Sequence, residues 1–490
     1  MRDLDPSCGG LLPLIAPSEP GPAVRDDRSE TWLTREDVRA GSLRLAEQIA
    51  ANRKRLVFLL CGNNCETVIA LLAAAAAGHA AALIDPSLPA DKLKGLVEAY
   101  EPELVLGTRE VGELLRDLTD ASARWRSFES PARDIECMAR HGGSPSVEIS
   151  PALQLILSTS GTTGGRKYVR LSRDALVANA AQIAETLSIG EHSTGIAHLP
   201  LHYSYGLSVV TSHLAAGGRV YLMTDSIASP SFWFKIDDVG GSHFPGVPFH
   251  YAALERLGEE IVPDSVLVFT QAGGALDPRI QATIHDLATR RNGRFFAMYG
   301  QTEASPRMTI LQHSDFSRKA GSVGLAVPGG RLSIIDERGT PVATEGIGEV
   351  VYEGPNVMMG YAISRSDLSK GDELKGRLET GDLGRIDPEG FLYLTGRTKR
   401  FAKIAGYRLD LDVIEEDLFT VCSVACVDLG DKIAVVHERK SETALKSRLR
   451  KLAANYRVPL SAFSLLKTAQ IPRGANGKVD YSKLKDRLGV

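Results

Sequence analysis

The stretch LSTSGTTGGRKYVRLS, from Leu157 to Ser172, follows an apolar run at Leu153–Leu157 that predicts a buried strand. Its residues suit an anion-binding loop, because glycines let backbone N–H groups approach, hydroxyls donate hydrogen bonds and lysine supplies charge. Taken alone, such a loop is more typical of a flexible turn. It is not a Walker A loop, since Arg166 precedes Lys167 and Tyr168 follows it, where that pattern needs Gly-Lys followed by Ser or Thr.

Predicted strands and helices alternate on both sides of this loop, which is typical of a layered α/β domain. On the C-terminal side, Arg173–Leu187 has helical spacing, so the loop lies between a strand and a helix, a position suited to phosphate. Charged, proline-punctuated sequence at Ser127–Ser150 predicts a surface connection into the loop. Further towards the N-terminus, the apolar runs predict a helix and three strands, at Cys65–Ala77 and at Val57–Leu60, Ala80–Ile84 and Leu104–Gly107.

Length and composition argue against several classes of protein. A chain of 490 residues predicts two or three domains, and its 43% hydrophobic and 24% charged residues are typical of a globular protein. A net charge of -3 without a concentrated basic region argues against a nucleic-acid binder. The N-terminal sequence lacks the pattern of a signal peptide and the six cysteines form no CxxC pair, which predicts a cytoplasmic protein with reduced thiols. The run Val68–Ile84 predicts a buried helix and a strand rather than a membrane span.

Small-residue and aromatic turns follow several probable strands downstream of the loop. QAGGAL at Gln271–Leu276 follows a strand predicted at Val266–Phe269, and AMYGQTEAS at Ala297–Ser305 follows one at Arg294–Phe296. Ligands collect at such strand ends in open α/β sheets. Four histidines between His192 and His213 raise the alternative of a metal site. Because Pro200 separates His198 from His202 and prevents a shared helical face, packing or a substrate pocket is favoured over metal ligation.

Seven motifs in series resemble the adenylate-forming superfamily, which includes acyl-CoA synthetases, aryl-CoA ligases, adenylation domains of peptide synthetases and firefly luciferase. The resemblance extends from about residue 150 to the C-terminus. The motifs are TSGTTGGRK, GGAL, YGQTE, GEVVYEGPNVMMGY (Gly348–Tyr361), ETGDLGRIDPEGFLYLTGR (Glu379–Arg397), KRFAKIAGYRLDLDVIE (Lys399–Glu415) and PRGANGKVDY (Pro472–Tyr481).

The resemblance implies a fold and an activity. The expected fold is a large layered α/β N-terminal domain, residues 1–396, and a small α+β C-terminal domain, residues 397–490, that rotates about a hinge near Lys399. In the implied reaction, a small carboxylic acid attacks ATP in the presence of Mg²⁺ to give acyl-AMP and pyrophosphate. A thiol of CoA or of the phosphopantetheine arm on a separate carrier protein then displaces AMP. Catalysis of this kind depends on positioning and charge neutralisation.

The resemblance also implies roles for individual residues. Lys478 resembles the lysine that reaches the substrate carboxylate and the α-phosphate, Thr302 the α-phosphate contact, and Glu303 the Mg²⁺ ligand. Gly406 resembles the glycine that lines the thiol tunnel. The remaining implied nucleotide-binding residues form the triphosphate loop, the adenine wall and the ribose contacts; they are Thr159, Ser160, Gly161, Thr162, Thr163, Gly164 and Lys167, then Gly274, Ala275, Tyr299 and Gly300, then Asp382 and Arg397.

The acid itself is less well defined by the sequence. Peptide-synthetase domains place an aspartate near the region Leu199–Val210 to meet an α-ammonium group, and this region has no carboxylate. The sequence therefore predicts a fatty, aryl or related acid rather than an α-amino acid. Two alternatives stay open, a ligase with a non-thiol acceptor and a catalytically silent module that binds acyl-AMP or ATP. The candidate pocket residues are His202, Tyr203, Tyr205, Phe249 and Tyr251.

Overall fold

The computed structural model divides the chain into two compact units, with the division between Thr395 and Gly396. The functions that the sequence assigns to the two domains, and the hinge, stay predictions. The structure describes residues 11, 21–114, 125–130, 134–141, 147–158, 167–336, 338–397, 401–404, 407–419, 421–422, 424–438, 442–472, 479 and 481–489.

The large unit alternates strands and helices along most of its length. Its described strands are β1 (Pro22–Asp26), β2 (Leu33–Thr34), β3 (Leu56–Leu60), β4 (Ala80–Ile84), β5 (Leu104–Thr108), β6 (Trp125–Glu129), β7 (Ile135–Arg140), β8 (Leu153–Ser158), β9 (Tyr168–Ser172), β10 (Thr194–Ala197), β11 (Arg219–Leu222), β12 (His243–Gly246), β13 (Val268–Gln271), β14 (Arg294–Gly300), β15 (Arg307–Leu311), β16 (Leu325–Ala326), β17 (Arg331–Ile335), β18 (Gly348–Glu353), β19 (Gly360–Ala362), β20 (Arg377–Ile386) and β21 (Leu392–Arg397). Its described α-helices are α1 (Arg35–Ile49), α2 (Cys65–Ala76), α3 (Ala90–Tyr100), α4 (Arg173–Leu187), α5 (Ser204–Ala215), α6 (Pro230–Asp238), α7 (Pro248–Leu257) and α8 (Pro278–Arg290).

Two of the sheets in the large unit have a parallel centre and antiparallel edges. One has the strand order β16-β15-β14-β13-β12-β10-β11-β1-β2 and is parallel from β14 to β1. The other has the order β19-β9-β8-β4-β3-β5-β7-β6 and is parallel from β8 to β5. A third, antiparallel sheet has the order β17-β18-β20-β21. The carboxyl ends of the parallel strands are where such sheets bind ligands.

The strand β3 shows how the second sheet is covered on both faces. All five of its residues, LVFLL, are buried. Val57 and Leu59 belong to one apolar cluster, whereas Leu56, Phe58 and Leu60 belong to another. Successive side chains of a strand point to opposite faces, so a strand buried on both faces has a continuous apolar sequence. The predictions of β3, α2, β4, β5, β8 and α4 are confirmed.

Helix α4 begins where the sequence predicted a helix after the glycine-rich loop. The side chain of Ser172 accepts a hydrogen bond from the backbone N–H of Ala175, which caps the N-terminus of the helix. The run Val68–Ile84 likewise contains most of helix α2 followed by strand β4, as predicted. Within the described ranges, no helix combines the length and the apolar character needed to cross a membrane.

The prediction of a surface connection at Ser127–Ser150 is wrong in part. Strands β6 and β7 occupy much of this region, and β7 pairs with both β5 and β6. Ile135 and Cys137 are buried, while the residues between and after them are partly exposed. This alternation is short and lies among charged residues, so the period-two signal of an outer strand is weak in the sequence.

The small unit contains a hairpin and a three-stranded sheet with helices. In the sheet, β25 pairs antiparallel with β24 and parallel with β26. Its apolar core includes Ile414, Leu445 and Leu449. Together with the large unit, it confirms the predicted fold class. The elements are β22 (Phe401–Ile404), β23 (Tyr407–Asp410), α9 (Leu411–Phe419), β24 (Val424–Asp428), β25 (Ile433–His437), α10 (Thr443–Tyr456), β26 (Phe463–Lys467) and α11 (Tyr481–Leu488).

Candidate active site

A buried carboxylate lies beside the end of strand β14. Asp382, in β20, is 2% exposed. The hydroxyl of Tyr299 donates to its Oδ2 at 2.5 Å, and Nε2 of Gln301 donates to the same oxygen at 2.6 Å. Gln301 also donates to the carbonyl of Thr380 at 2.9 Å. These bonds hold the carboxylate next to Tyr299, and the sequence predicted that these two residues bind the ribose and the adenine of one nucleotide.

Thr302 follows directly and contacts the first residue of helix α5. It lies in a short 3₁₀ turn, Thr302–Ala304, and is 6% exposed. Its Oγ1 is 3.0 Å from Oγ of Ser204, so the two hydroxyls share a hydrogen bond. A hydroxyl at the N-terminal end of a helix is well placed to donate to a phosphate oxygen. The predicted α-phosphate contact therefore lies in suitable surroundings.

Glu303 is joined to Lys167 through Tyr361. The hydroxyl of Tyr361 donates to Oε1 of Glu303 at 2.8 Å, and Nζ of Lys167 lies 3.7 Å from the centroid of the Tyr361 ring. Tyr361 is in β19, which pairs with the strand that begins after Lys167. Burial, and then the Glu303 carboxylate, raise the pKa of Tyr361, so its hydroxyl stays protonated and donates. The predicted metal ligand and the lysine of the predicted phosphate loop thus contact the same tyrosine, Glu303 at its hydroxyl and Lys167 at the face of its ring.

The turn after strand β13 carries the residues predicted to form the adenine wall. Nε2 of Gln271 donates to the carbonyl of Gly274 at 2.8 Å and holds the turn that contains Ala275. Gly273, in this turn, has φ +81°. A Cβ atom on Gly273 would lie 2.7 Å from the hydroxyl oxygen of Tyr203, so the Tyr203 side chain lies directly against the turn. A glycine is required there both by the left-handed backbone and by this close contact.

Three of the five predicted pocket residues, Tyr203, Tyr205 and Tyr251, lie close together, with the ring centroids of Tyr203 and Tyr205 6.3 Å apart. The hydroxyls of Tyr205 and Tyr251 both donate to the carbonyl of Thr270 at 2.9 Å, and burial raises the pKa of Tyr205 to about 12. Phe249, in contrast, is 70% exposed on helix α7. Nε2 of His202 lies 3.8 Å from Oδ2 of Asp85, and burial lowers its pKa.

The histidines that raised the metal alternative differ in their surroundings: the side chain of His192 is exposed, whereas His198 lies among aromatic rings. The ring of His198 stacks on Phe244 and contacts His250 edge-on, with ring centroids 5.2 and 4.8 Å apart. Burial lowers the pKa of His198 well below its ordinary value. Across the described ranges, no group of three or more His, Cys, Asp or Glu side chains is placed to hold a metal ion.

Three residues that the sequence analysis did not assign also belong to this region. Gln301 and Tyr361 fall inside quoted motifs, and a polar side chain in such a motif could have indicated a role. In the structure, Gln301 contacts Asp382 and Tyr361 contacts Glu303. Arg307 begins strand β15, RMTIL, whose five residues are all buried. A charged residue in a fully buried strand is a signal in its own right, because charges are rarely buried without a partner.

Several predicted residues lie outside the described part of the chain. Arg397 is the last residue of β21, and the structure describes its backbone but not its side chain. The others are Thr159, Ser160, Gly161, Thr162, Thr163, Gly164, Lys399, Gly406 and Lys478. Their roles stay predictions.

The chain is similar to several known proteins. Residues 18–362 match the family model described as AMP-binding enzyme. The chain is 25% identical over 515 residues to 4-coumarate–CoA ligase-like 3 of Oryza sativa subsp. japonica, covering 96% of this chain and 86% of that protein. It is 26% identical over 450 residues to D-alanine–D-alanyl carrier protein ligase of Bacillus mycoides (strain KBAB4), covering 86% of each.

Two further comparisons concern length and fold. The chain is 26% identical over 504 residues to malpinin synthetase of Mortierella alpina, covering 94% of this chain, but it spans only 6% of that protein's length. The solved structure of a double mutant of o-succinylbenzoate CoA synthetase from Bacillus subtilis has the same fold, with a TM-score of 0.73 at 22% identity over 98% of both chains. The family model covers most of the sequence, and the chain belongs to the AMP-binding enzyme family.

Proposed function

We propose that the protein activates a carboxylic acid with ATP and passes the acyl group to a thiol. In the first step, a carboxylate oxygen attacks the α-phosphorus of ATP, the bond from that phosphorus to its bridging oxygen breaks, and pyrophosphate leaves. In the second, a thiolate sulfur attacks the acyl carbon of acyl-AMP, the bond from that carbon to the phosphate oxygen breaks, and AMP leaves. Neither step needs a covalent bond to the protein, so positioned charges and hydrogen bonds suffice.

The observation that carries this proposal is a series of polar contacts made by the segment Tyr299–Glu303. Lys167, Tyr361 and Glu303 are in contact, Thr302 follows with its bond to Ser204, and Gln301 and Tyr299 hold Asp382. These residues come from four of the quoted motifs and, for Ser204, from helix α5. Their order in space, from phosphate-loop lysine to buried carboxylate, suits the order of phosphates and ribose in a nucleotide.

Glu303 is suited to hold Mg²⁺ in this reaction. Its Oε1 accepts from Tyr361, and in the described part of the chain no hydrogen bond to Oε2 is found. Mg²⁺ is usually bound by one or two carboxylates together with substrate phosphates, which a single glutamate satisfies. The ion would neutralise charge on the phosphate oxygens. Tyr361 would orient the Glu303 carboxylate by its hydrogen bond.

For the acid and for the thiol acceptor, the proposal names classes of compound. Residues 199–210 have no carboxylate to meet an α-ammonium group, which supports an acid other than an α-amino acid. The relatives include a CoA ligase and a carrier protein ligase, so CoA and a phosphopantetheine carrier are both proposed acceptors. Lys478, Lys399 and Gly406 keep their predicted roles in adenylation, rotation and thiol access.

The test is isotope exchange between pyrophosphate and ATP, with Mg²⁺ and a panel of fatty, aryl, dicarboxylic, hydroxy and amino acids. We expect exchange that depends on one class of acid. Glu303→Gln should lower this exchange at least about tenfold and raise the Mg²⁺ concentration required, because the amide is a poor ligand for a hard cation. The matched control is Glu98→Gln, at an exposed position of α3. Exchange that does not depend on any acid or on Glu303 contradicts the proposal.

The acceptor is then identified by adding CoA or a carrier protein to the active mixture. Release of AMP with CoA, with a carrier, or with an amine distinguishes the three acceptor classes. Lys478→Ala should abolish formation of acyl-AMP but leave the reaction of pre-made acyl-AMP with thiol much less affected. Equal loss in both half-reactions contradicts the role assigned to Lys478. ATP binding by calorimetry without any exchange supports the silent module.

A further inference from the structure

A small cavity lies beside Tyr205. Its lining includes Tyr205 and Ser208 of helix α5, Thr270 of β13 and Arg307 of β15, and also the imidazole groups of His213 and His243. It leaves about 20 Å³ for the centres of water molecules, which is room for one or two waters or one small polar group. It is too small as it stands for a long alkyl chain.

Arg307 brings a positive charge into this cavity. The residue is 3% exposed, and its Cζ lies 4.0 Å from the centroid of the Tyr205 ring. One weak hydrogen bond joins its Nη2 to Oγ of Ser208 at 3.5 Å, while its Nε is buried without a partner. Over the ranges that the structure describes, no carboxylate oxygen lies within 4.0 Å of its guanidinium, and none of the described cavity-lining residues is Asp or Glu.

The two histidines of the cavity do not compensate this charge. Nδ1 of His213 donates to the carbonyl of Val209 at 2.8 Å, and burial lowers the pKa of His213 to about 4. Burial also lowers the pKa of His243 well below its ordinary value. Both imidazoles are therefore neutral near pH 7, and the Nε2 atom of each is buried without a hydrogen-bond partner. The cavity thus has one net positive charge and further unsatisfied polar atoms.

The position of the cavity relates it to the reacting groups. Ser204, which shares a hydrogen bond with Thr302, and Ser208, which contacts Arg307, lie four residues apart on helix α5. Residues at this spacing lie on one face, about 5 to 6 Å apart along the axis. The contact of helix α5 with Arg307 therefore lies about one helical turn beyond its contact with Thr302, the predicted α-phosphate contact.

Resting on the proposed function, we infer that the acid carries a second anionic oxygen group, which Arg307 binds while the first carboxylate reacts. The substrate class is therefore a short dicarboxylic acid or a carboxylic acid with another terminal oxyanion. An unpaired buried guanidinium is costly, and a carboxylate supplies both the missing charge and two acceptors in the geometry of the guanidinium fork. Nε2 of His243 offers the same group a further donor when Nδ1 of that ring accepts from the hydroxyl of Ser242. Nε2 of His213 carries no hydrogen while Nδ1 donates to the carbonyl of Val209, so it offers the anion no hydrogen bond.

The experiment is exchange of pyrophosphate into ATP with matched acids: malonate, succinate, glutarate and adipate, the monocarboxylates of equal carbon number, and 3-sulfopropionate. The wild type is expected to use a dioxyanion at least about 100-fold better than the monocarboxylate of equal length, since a buried site built for a polar group rejects the analogue that lacks it. The sulfo acid distinguishes a carboxylate from another terminal oxyanion. Better use of any of these dioxyanions supports the inference.

Two variants at Arg307 and one control separate specificity from folding. Arg307→Met should lose this preference while it retains or gains exchange with the monocarboxylates. Arg307→Lys should retain part of it, because the charge remains but the planar fork is lost. The control Arg331→Met replaces an exposed arginine, 78% accessible, and should leave the preference unchanged.

Each other outcome has a defined meaning. Wild-type exchange with monocarboxylates alone, or a preference for dioxyanions that survives in Arg307→Met, overturns the inference and leaves the proposed function standing. Equal loss of exchange with every acid in Arg307→Met, with Arg307→Lys equally inactive, assigns the residue a structural role and also overturns it. No exchange with any acid and no ATP binding by calorimetry contradict the proposed function itself.

Discussion

Two buried arginines of the large unit differ in whether a carboxylate pairs with them. Arg365 donates from both Nη atoms to the two oxygens of Glu103 at 2.8 Å, and the two side chains are 5% and 9% exposed. Arg307 is equally buried but lies in a cavity wall, with no carboxylate of the described chain within 4.0 Å. The buried charge of Arg365 therefore has its partner within the protein. The buried charge of Arg307 faces a cavity, where a bound ligand can supply the partner. Substitution of each arginine measures this difference.

The largest effect is expected when the internal pair is broken. Arg365→Met should lower the free energy of unfolding by about 3 to 5 kcal/mol, because it removes the two-pronged partner of the buried Glu103 carboxylate. Glu103 would retain the backbone N–H of Leu56 and the more distant Arg53, whose Nη2 lies 3.8 Å away. Urea unfolding followed by circular dichroism measures this change. The control is Arg377→Met, which removes an exposed pair with Glu353 and should cost less than about 1 kcal/mol. Equal losses in the two variants would contradict the distinction between buried and exposed pairs.

The neutral histidines beside Arg307 predict a dependence of stability on pH. The folded pKa of His213, about 4, is below the value of 6.5 for the unfolded chain, so the unfolded state binds protons more readily. The contribution of His213 is therefore fully present above pH 6.5 and is lost as the pH falls towards 4, by about 3 kcal/mol in total.

The variant His213→Asn isolates this contribution from the other titrating groups. Its amide can donate to the carbonyl of Val209 as Nδ1 of the imidazole does, but it does not titrate. Denaturant unfolding at several pH values should show a shallower loss of stability in this variant than in the wild type. Parallel pH profiles would show that the cavity does not keep His213 neutral.

Tyr299 is a partner that the protein itself supplies to a buried charge, the Asp382 carboxylate of the candidate site. Tyr299→Phe removes one of the hydrogen bonds that the fold makes to the buried Asp382 carboxylate. We expect a loss of about 2 kcal/mol in the free energy of unfolding, the range for bonds to charged groups, together with weaker binding of AMP measured by calorimetry. Tyr393→Phe, whose hydroxyl lies 3.5 Å from Asp387, is the matched control and should change AMP binding little.

The smallest change in stability is expected at Arg307. Arg307→Met leaves no described carboxylate without a partner and removes a costly buried charge, so the free energy of unfolding should fall by less than about 1 kcal/mol or should rise. Equilibrium unfolding without ligand measures it beside Arg365→Met. A loss as large as that of Arg365→Met would mean that the fold itself holds the Arg307 guanidinium.

The sequence predicted much of the fold because the decisive patterns are local. The apolar run of β3 and the helical spacing of α4 each lie within one short stretch of sequence. It failed for β6 and β7, whose alternation is short. Phe249 and Tyr251 both suggested a pocket, yet one is exposed and the other buried. Successive positions of a helix differ by about 100°, so a short helix does not reveal which side faces inward until it is packed.

Part of the candidate site could likewise be predicted from the sequence, and part could not. The order of motifs indicated the family, and the resemblance implied nucleotide-binding roles for Asp382, Thr302, Glu303 and Lys167, which stay predictions. Only the tertiary structure decided that Tyr361 connects Glu303 with Lys167. It also decided that Arg307 contacts Ser208, 99 positions away, and that no carboxylate among the described residues lies within 4.0 Å of it. Partners of this kind come from strands and helices distant in sequence. Whether a buried charge meets one depends on how those elements pack, which no local pattern records.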